Sequence, residues 1–160
     1  MAAAPVKALT YETITMNYRH RFRVRASLAR VAEFHSYAAS MPAITPPPIV
    51  VKVQHAPPVL ADGEEMDFTM WLGPLPVRWL ARIEAVSPTG FSDCQQRGPF
   101  AEWVHRHTFV ATADQSTDVI DEISLRLRPH PLWWLIGLGM RLGLPILFAF
   151  RTWKTKRMLE

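Results

Sequence analysis

Apolar and polar side chains alternate through most of the chain from residue 17 onward. Tyr18, His20, Phe22, Val24 and Ala26 interleave with Arg19, Arg21, Arg23 and Arg25, and a period of two places the two sets on opposite faces of a strand. Ser27 then offers an N-cap. Leu28, Val31, Ala32, Phe34 and His35 follow at helical spacing, which predicts a short helix over 28–39. The proline run Pro46 to Pro48 stops any helix, because proline lacks a donor and restricts its predecessor. Residues 49–55 are rich in β-branched side chains and read as a strand. In 64–72, Met66, Phe68, Met70 and Leu72 alternate with Glu65, Asp67, Thr69 and Trp71. In 77–86, Val77, Trp79, Ala81 and Ile83 alternate with Arg78, Leu80, Arg82 and Glu84. Gly73 to Pro76 and Ser87 to Gly90 supply turns between these strands.

The stretch from Phe91 to Phe109 reads as two strands around a turn at Gly98-Pro99. Phe91, Asp93, Gln95 and Arg97 share one face of the first, and Trp103, His105, His107 and Phe109 share one face of the second. After a turn at 113–116, Thr117, Val119, Asp121, Ile123, Leu125 and Leu127 form the inner face of a last strand. Short turns between evenly spaced strands favour an antiparallel meander. Residues 1–15 show no period, so 1–16 is expected to be a poorly ordered extension and 17–160 a single domain.

Residues 132–150 are apolar on all sides and nearly long enough to cross a bilayer. Arg141, three glycines (Gly137, Gly139, Gly143) and Pro145 oppose a span, since a charge at the bilayer centre costs roughly 2.5–3.5 kcal/mol on insertion scales. The expectation is a helix packed on the sheet and kinked or restarted at Pro145, with Ile146, Ala149, Phe150 and Trp153 inward and Arg151, Lys154 and Arg157 toward water.

Composition narrows the function classes. The 160 residues are 49% hydrophobic and 20% charged, with net charge +4 and a pI near 9.6. The basic residues are scattered, so the chain lacks the basic stripe with aromatic platforms that nucleic-acid binding wants. The arginine row at 19–25 reads as a solvated strand face. One cysteine, Cys94, rules out an intrachain disulfide and fits a reducing, cytoplasmic setting. No apolar signal-like run stands at the N-terminus. There is no glycine-rich phosphate loop, serine elbow or HExxH.

A hairpin centred near Phe100 would set Asp93 opposite His107 and Gln95 opposite His105. A second centred near Asp114 would bring Asp121 to His107 from the other side. The candidate catalytic residues are therefore His107, His105, Asp93 and Asp121. Three readings stay open: a self-satisfied buried row that pins strand register, a polar set that orients a ligand, and a base for proton transfer. His105-x-His107 with a carboxylate also has metal-compatible spacing, but nothing else in the sequence supports it, so no metal and no cofactor are expected.

Several motifs together carry a resemblance. They are Phe34-His35, Ile44-Thr45-Pro46-Pro47, Trp79-x-Ala81-Arg82-Ile83 and Asp93-x-Gln95-x-x-Gly98-Pro99-Phe100-x-x-Trp103-x-His105-x-His107-x-Phe109. Thr117 with Asp121 and the run Leu147 to Arg151 complete the set. With them the chain resembles the START-like SRPBCC superfamily, in its bacterial, polyketide-cyclase-like ligand-binding branch, over about residues 17–157. The resemblance implies an α+β helix-grip fold: a curved antiparallel sheet of about six to seven strands wrapped on a long C-terminal helix. It implies a cavity between them for a hydrophobic or amphipathic small molecule such as a lipid, quinone or polyketide. Phe68, Met70, Trp79, Ile83, Phe91, Gln95, Trp103, His105, Phe109 and Phe150 are the expected ligand-binding residues, on inner strand faces that also carry Phe22, Val24 and Met66. Relatives include cyclases and plain carriers, so a cyclase- or dehydratase-type enzyme is the alternative. The tryptophan-rich 132–144 run adds a third reading, peripheral membrane contact or homodimerisation.

Overall fold

A computed structural model describes residues 14–160. The extension expected over 1–16 therefore falls almost wholly outside the described residues. Seven strands form one antiparallel sheet: β1 (Met16–Val24), β2 (Val50–His55), β3 (Glu65–Leu72), β4 (Leu75–Ser87), β5 (Gly90–Arg97), β6 (Phe100–Ala111) and β7 (Thr117–Leu127). Their order across the sheet is β1-β7-β6-β5-β4-β3-β2. Strands β2 to β7 are the expected meander. The first strand joins its far side, pairing with the last from Met16↔Leu125 to Val24↔Thr117. The connection from β1 to β2 must cross from one sheet edge to the other. It does so as α1 (Leu28–Ser36), capped by the Ser27 hydroxyl, and α2 (Ser40–Ala43). The helix predicted over 28–39 thus ends early, at Ser36: Tyr37 has extended backbone and bridges to Val59.

The C-terminal helix α3 (Pro131–Leu159) is continuous for 29 residues, through Pro145. No restart separates its halves. Pro145 lies on the exposed side, where water can satisfy the carbonyl that the missing N–H leaves free. The helix packs over β1, β7 and β6. Its buried face is Gly137, Leu144, Phe148, Thr155 and Leu159, so the face expected from the sequence is corrected. Ile146 and Trp153 point to solvent at 74% and 52% exposure. Arg151, expected outside, has its Nε buried.

The arginines on the outer face of β1 are matched by acids. Arg19 faces Glu122, Arg21 and Arg23 share the buried carboxylate of Asp118, and Arg25 pairs with Glu160 at the end of α3. Carboxylate partners on the neighbouring strand explain a cationic row without any nucleic acid. Inside, one core cluster runs from Met66, Phe68 and Trp79 through Phe100, Trp103 and Leu127 to Leu144 and Phe148. A second, with Val24, Val31, Phe109, Val119 and Leu159, seals the end beneath α1.

Gly137 sets how closely α3 meets the sheet. A Cβ there would lie 2.9 Å from Leu127 Cδ2 and 3.2 Å from Phe100 Cε1, whereas one at Gly139 would meet nothing within 4 Å. Gly137→Val should therefore cost about 1–3 kcal/mol through overpacking. Gly139→Ala should be neutral or stabilising by up to about 1 kcal/mol, because it only removes backbone freedom from a helix. Urea denaturation of the two variants checks this, and equal effects would contradict the packing.

Candidate functional site

Sheet curvature and the α1–α2 crossing leave a cavity of about 290 Å³ between β3–β6, α2 and α3. Its walls are mainly apolar: Met66, Phe68, Met70, Trp79 and Ile83 from the sheet, and Met140, Leu144, Leu147 and Phe148 from α3. The polar part of the wall includes Asp93, His105, His107, His35 and Arg151. Of the residues singled out in the sequence, Phe68, Met70, Trp79, Ile83, Phe91, Trp103 and His105 line the cavity. Gln95, Phe109 and Phe150 do not. Phe109, with Phe22 and Val24, belongs to the second core cluster. Phe150, half-buried, meets Trp153 at a tilt with centroids 5.4 Å apart. Gln95 grips the β5–β6 turn instead, its Nε2 donating to Phe100 O at 2.9 Å and its Oε1 accepting from Phe100 N at 3.3 Å.

The predicted row of acids and imidazoles forms with a different register. Asp93 stands opposite His105, and Phe91 opposite His107. The hairpin is centred on Pro99 rather than Phe100, and a one-residue shift of the centre moves every partner by two. The second hairpin is centred as expected, with His107 opposite Asp121. The result is a square rather than a row. Asp93 Oδ2 lies 3.2 Å from His105 Nδ1 and 3.3 Å from His107 Nε2. Asp121 Oδ1 lies 3.0 Å from His105 Nε2 and 2.9 Å from His107 Nδ1. Well-directed hydrogen bonds are the Asp121–His105 and Asp93–His107 pairs. Despite its short distance, His107 Nδ1 has no hydrogen bond of good direction. Trp103 Nε1 donates to Asp93 Oδ1 at 3.3 Å. Phe91 stacks on His107 with centroids 4.4 Å apart, and Phe148 meets His105 edge-on from the helix.

Burial works against the charges of His105, Asp93 and Asp121, yet their partners win. Burial alone would lower the basicity of His105, but Asp93 and Asp121 raise it to about 9. Burial alone would raise the two aspartates, but the imidazoles hold both carboxyls well below the usual carboxylate range. His35 hydrogen-bonds Val31 O, and its burial outweighs both that bond and the pull of Asp121. Burial, then the charge of His107, lowers it to about 4. Burial also lowers the Arg151 guanidinium, against the pull of Asp121 and Asp93. Cys94 lies on the opposite sheet face against Glu84; burial and that carboxylate push its thiol up to about 11, the wrong direction for a nucleophile.

Sequence reasoning missed His35 and Arg151 as wall residues. Both stood in the motifs that carried the resemblance, Phe34-His35 and Leu147 to Arg151, which was the available signal. Asp93, His105 and His107 also offer donor atoms within 4.8 Å of one another.

No protein-family profile matches the chain, and no curated protein does. Solved structures match over nearly its whole length. Protein Ms6760 from Mycobacterium smegmatis superposes with a TM-score of 0.67 at 16% identity, covering 98% of each chain. Norcoclaurine synthase from Thalictrum flavum, in complex with dopamine and hydroxybenzaldehyde, gives 0.66 at 14% identity over 100% of this chain and 98% of the other. The ZhuI aromatase/cyclase from a Streptomyces species gives 0.66 at 13% identity over 91% and 96%. Together with the gripped helix and the cavity, these likenesses define a helix-grip protein. The fold is that of the START-like SRPBCC superfamily.

The histidines set opposite pH limits. Unfolded, each titrates near 6.5. The contribution of protonated His105 is complete below pH 6.5 and is lost as pH rises through about 9. His35 stays neutral in the fold, so stability falls as pH drops from 6.5 toward about 4. Melting temperature in chelator-containing buffer should peak at roughly pH 6–7, with changes of order a few kcal/mol along each limb. His105→Gln should flatten the alkaline limb and His35→Gln the acid limb. A wild-type melt that keeps rising from pH 7 to 9 would contradict the first assignment.

Proposed function

We propose that residues 17–160 act as one ligand-binding domain that takes an amphipathic small molecule into the cavity between the sheet and α3. The observation that carries this reading is the wall itself: apolar on most sides, with Asp93, His105, His107 and Arg151 gathered on one part. Apolar pockets with a few convergent polar groups are the usual form of small-molecule sites. Two buried donors of wall residues, Trp79 Nε1 and Arg151 Nε, have no hydrogen-bond partner among the described residues. The aromatic molecules carried by the norcoclaurine synthase structure are of suitable class.

Catalysis is the second reading, favoured by one fact: Asp93, His105 and His107 open onto the cavity instead of being sealed beneath packing. An imidazole held between carboxylates on a cavity wall can exchange protons with an occupant, as a cyclase or dehydratase step requires.

Gly143 lines the cavity, and a Cβ there would meet nothing within 4 Å. Gly143→Leu should fill the space without unfolding the helix. It should weaken binding of anilinonaphthalene sulfonate at least about ten-fold, about 1.4 kcal/mol, while Arg106→Ala on the outer sheet face should change it less than two-fold. Fluorescence titration reads both, and native mass spectrometry of the purified protein identifies any retained ligand. Unchanged dye affinity in Gly143→Leu would place binding elsewhere.

The outer face of α3 supports a contact surface. Leu132, Leu135, Leu142, Ile146 and Trp153 are exposed and recur at helical spacing, and Lys154 and Arg157 lie over Trp153. We read this stripe as a site of peripheral contact with an anionic membrane. Wild type should co-sediment with anionic vesicles at low salt, and Leu135→Ser/Ile146→Ser should not. A protein that ignores vesicles, or one that dimerises through the stripe on sizing, would reject the membrane reading.

A further inference from the structure

Three potential ligand atoms meet on the cavity side of β5 and β6. Asp93 Oδ2 is 3.2 Å from His105 Nδ1 and 3.3 Å from His107 Nε2, and the three donors lie within 4.8 Å of one another. Donors about 2.0–2.2 Å from one tetrahedral zinc ion sit roughly 3.3–3.6 Å apart. Two of the three spacings are thus close to those of a ligand set before any side chain moves.

The other half of the square supplies what such a set needs. Asp121 Oδ1 stands 3.0 Å from His105 Nε2 and 2.9 Å from His107 Nδ1. It is the one member of the square that does not border the cavity. Each imidazole therefore turns one nitrogen toward Asp93 and the cavity, and the other toward Asp121 behind it. Metal-binding histidines commonly give their second N–H to a carboxylate, which fixes tautomer and ring orientation. Here Asp121 does this for His105 and stands beside His107 Nδ1 without a well-directed hydrogen bond to it. Trp103 Nε1 occupies Asp93 Oδ1 and leaves Oδ2 as the ligating oxygen. Charge agrees: two carboxylates facing two imidazoles are balanced by one divalent ion with both rings neutral. Arg151, on the same cavity wall, acts against a cation.

We propose that Asp93, His105 and His107 form a site for a divalent transition metal of the zinc class, with Asp121 as the positioning carboxylate and an open coordination position facing the cavity. Two imidazoles and a carboxylate suit zinc, iron or nickel more than calcium or magnesium. The open position takes water or an oxygen of the cavity's occupant. The site stands independently of the small-molecule reading, because it can be loaded in an empty cavity.

The test uses chelator-stripped full-length protein, Zn²⁺ in calorimetry and Co²⁺ as a visible-absorption probe. The expected result is one equivalent per chain, with Co²⁺ ligand-field bands. Asp93→Asn and His107→Gln should abolish the bands and weaken Zn²⁺ at least about a hundred-fold. Asp121→Asn should keep the stoichiometry and weaken affinity about ten- to hundred-fold. His55→Gln, at an exposed histidine distant from the square, should change nothing. If a square variant fails to fold, wild type alone still decides, since ligand binding to the folded state raises its melting temperature by mass action. No stoichiometric uptake and no thermal shift at about 100 µM free Zn²⁺ would overturn the proposal. Binding that survives Asp93→Asn and His107→Gln undiminished would overturn it equally. Loss of dye binding in Gly143→Leu with metal uptake intact would show that the two sites fail separately.

Discussion

Two carboxylates withdrawn from water on the strands either side of β6 require compensation, and Asp93 and Asp121 obtain it from the same pair of imidazoles on β6. A lone buried carboxylate would shift its pKa and neutralise. Here the His105 and His107 rings lie between the two acids, every side of the square being 2.9–3.3 Å. The square ties β5, β6 and β7 together in the middle of the sheet. It also fixes which strand positions look into the cavity, since a one-residue slip would turn the whole set to the opposite face.

That arrangement explains the division of the interior. Below the square, Phe109, Val119 and Val24 pack fully with α1 and the end of α3. On the other side the sheet curves away from the helix, and the space stays open. The aromatic partners Phe91, Trp103 and Phe148 surround the imidazoles, so water reaches the charged groups chiefly through the cavity. Such a low-dielectric setting strengthens every interaction with an occupant.

The long helix serves both sides of its own surface. Gly137 lets it approach Phe100 and Leu127, and Leu144 and Phe148 close the core. The residues between them leave an apolar stripe in solvent. A helix that is apolar all round is ordinarily buried, and here the sheet covers only one side of it.

Alternation along each strand was legible in the sequence because side chains take opposite faces with a period of two, whatever lies next to the strand. It was enough to place β1 to β7 to within a few residues, and to bring Asp93, His105, His107 and Asp121 to one face. The motifs identified the fold class. The pairing of Asp93 with His105 was not legible, since a proline turn can be centred on either of two residues and each choice moves every partner by two. Gln95 was misplaced by the same step. The inward face of α3 was not legible either: with apolar residues on all sides, no stripe marks the buried one, and only the sheet's position decides that Phe148 and Arg151 turn in while Ile146 and Trp153 turn out. His35 and Arg151 reach the cavity wall through a crossing helix and a packed one, contacts between distant parts of the chain that local periodicity does not encode. Strand chemistry is local and can be read along the chain; the cavity is the gap left between elements and exists only once they are packed.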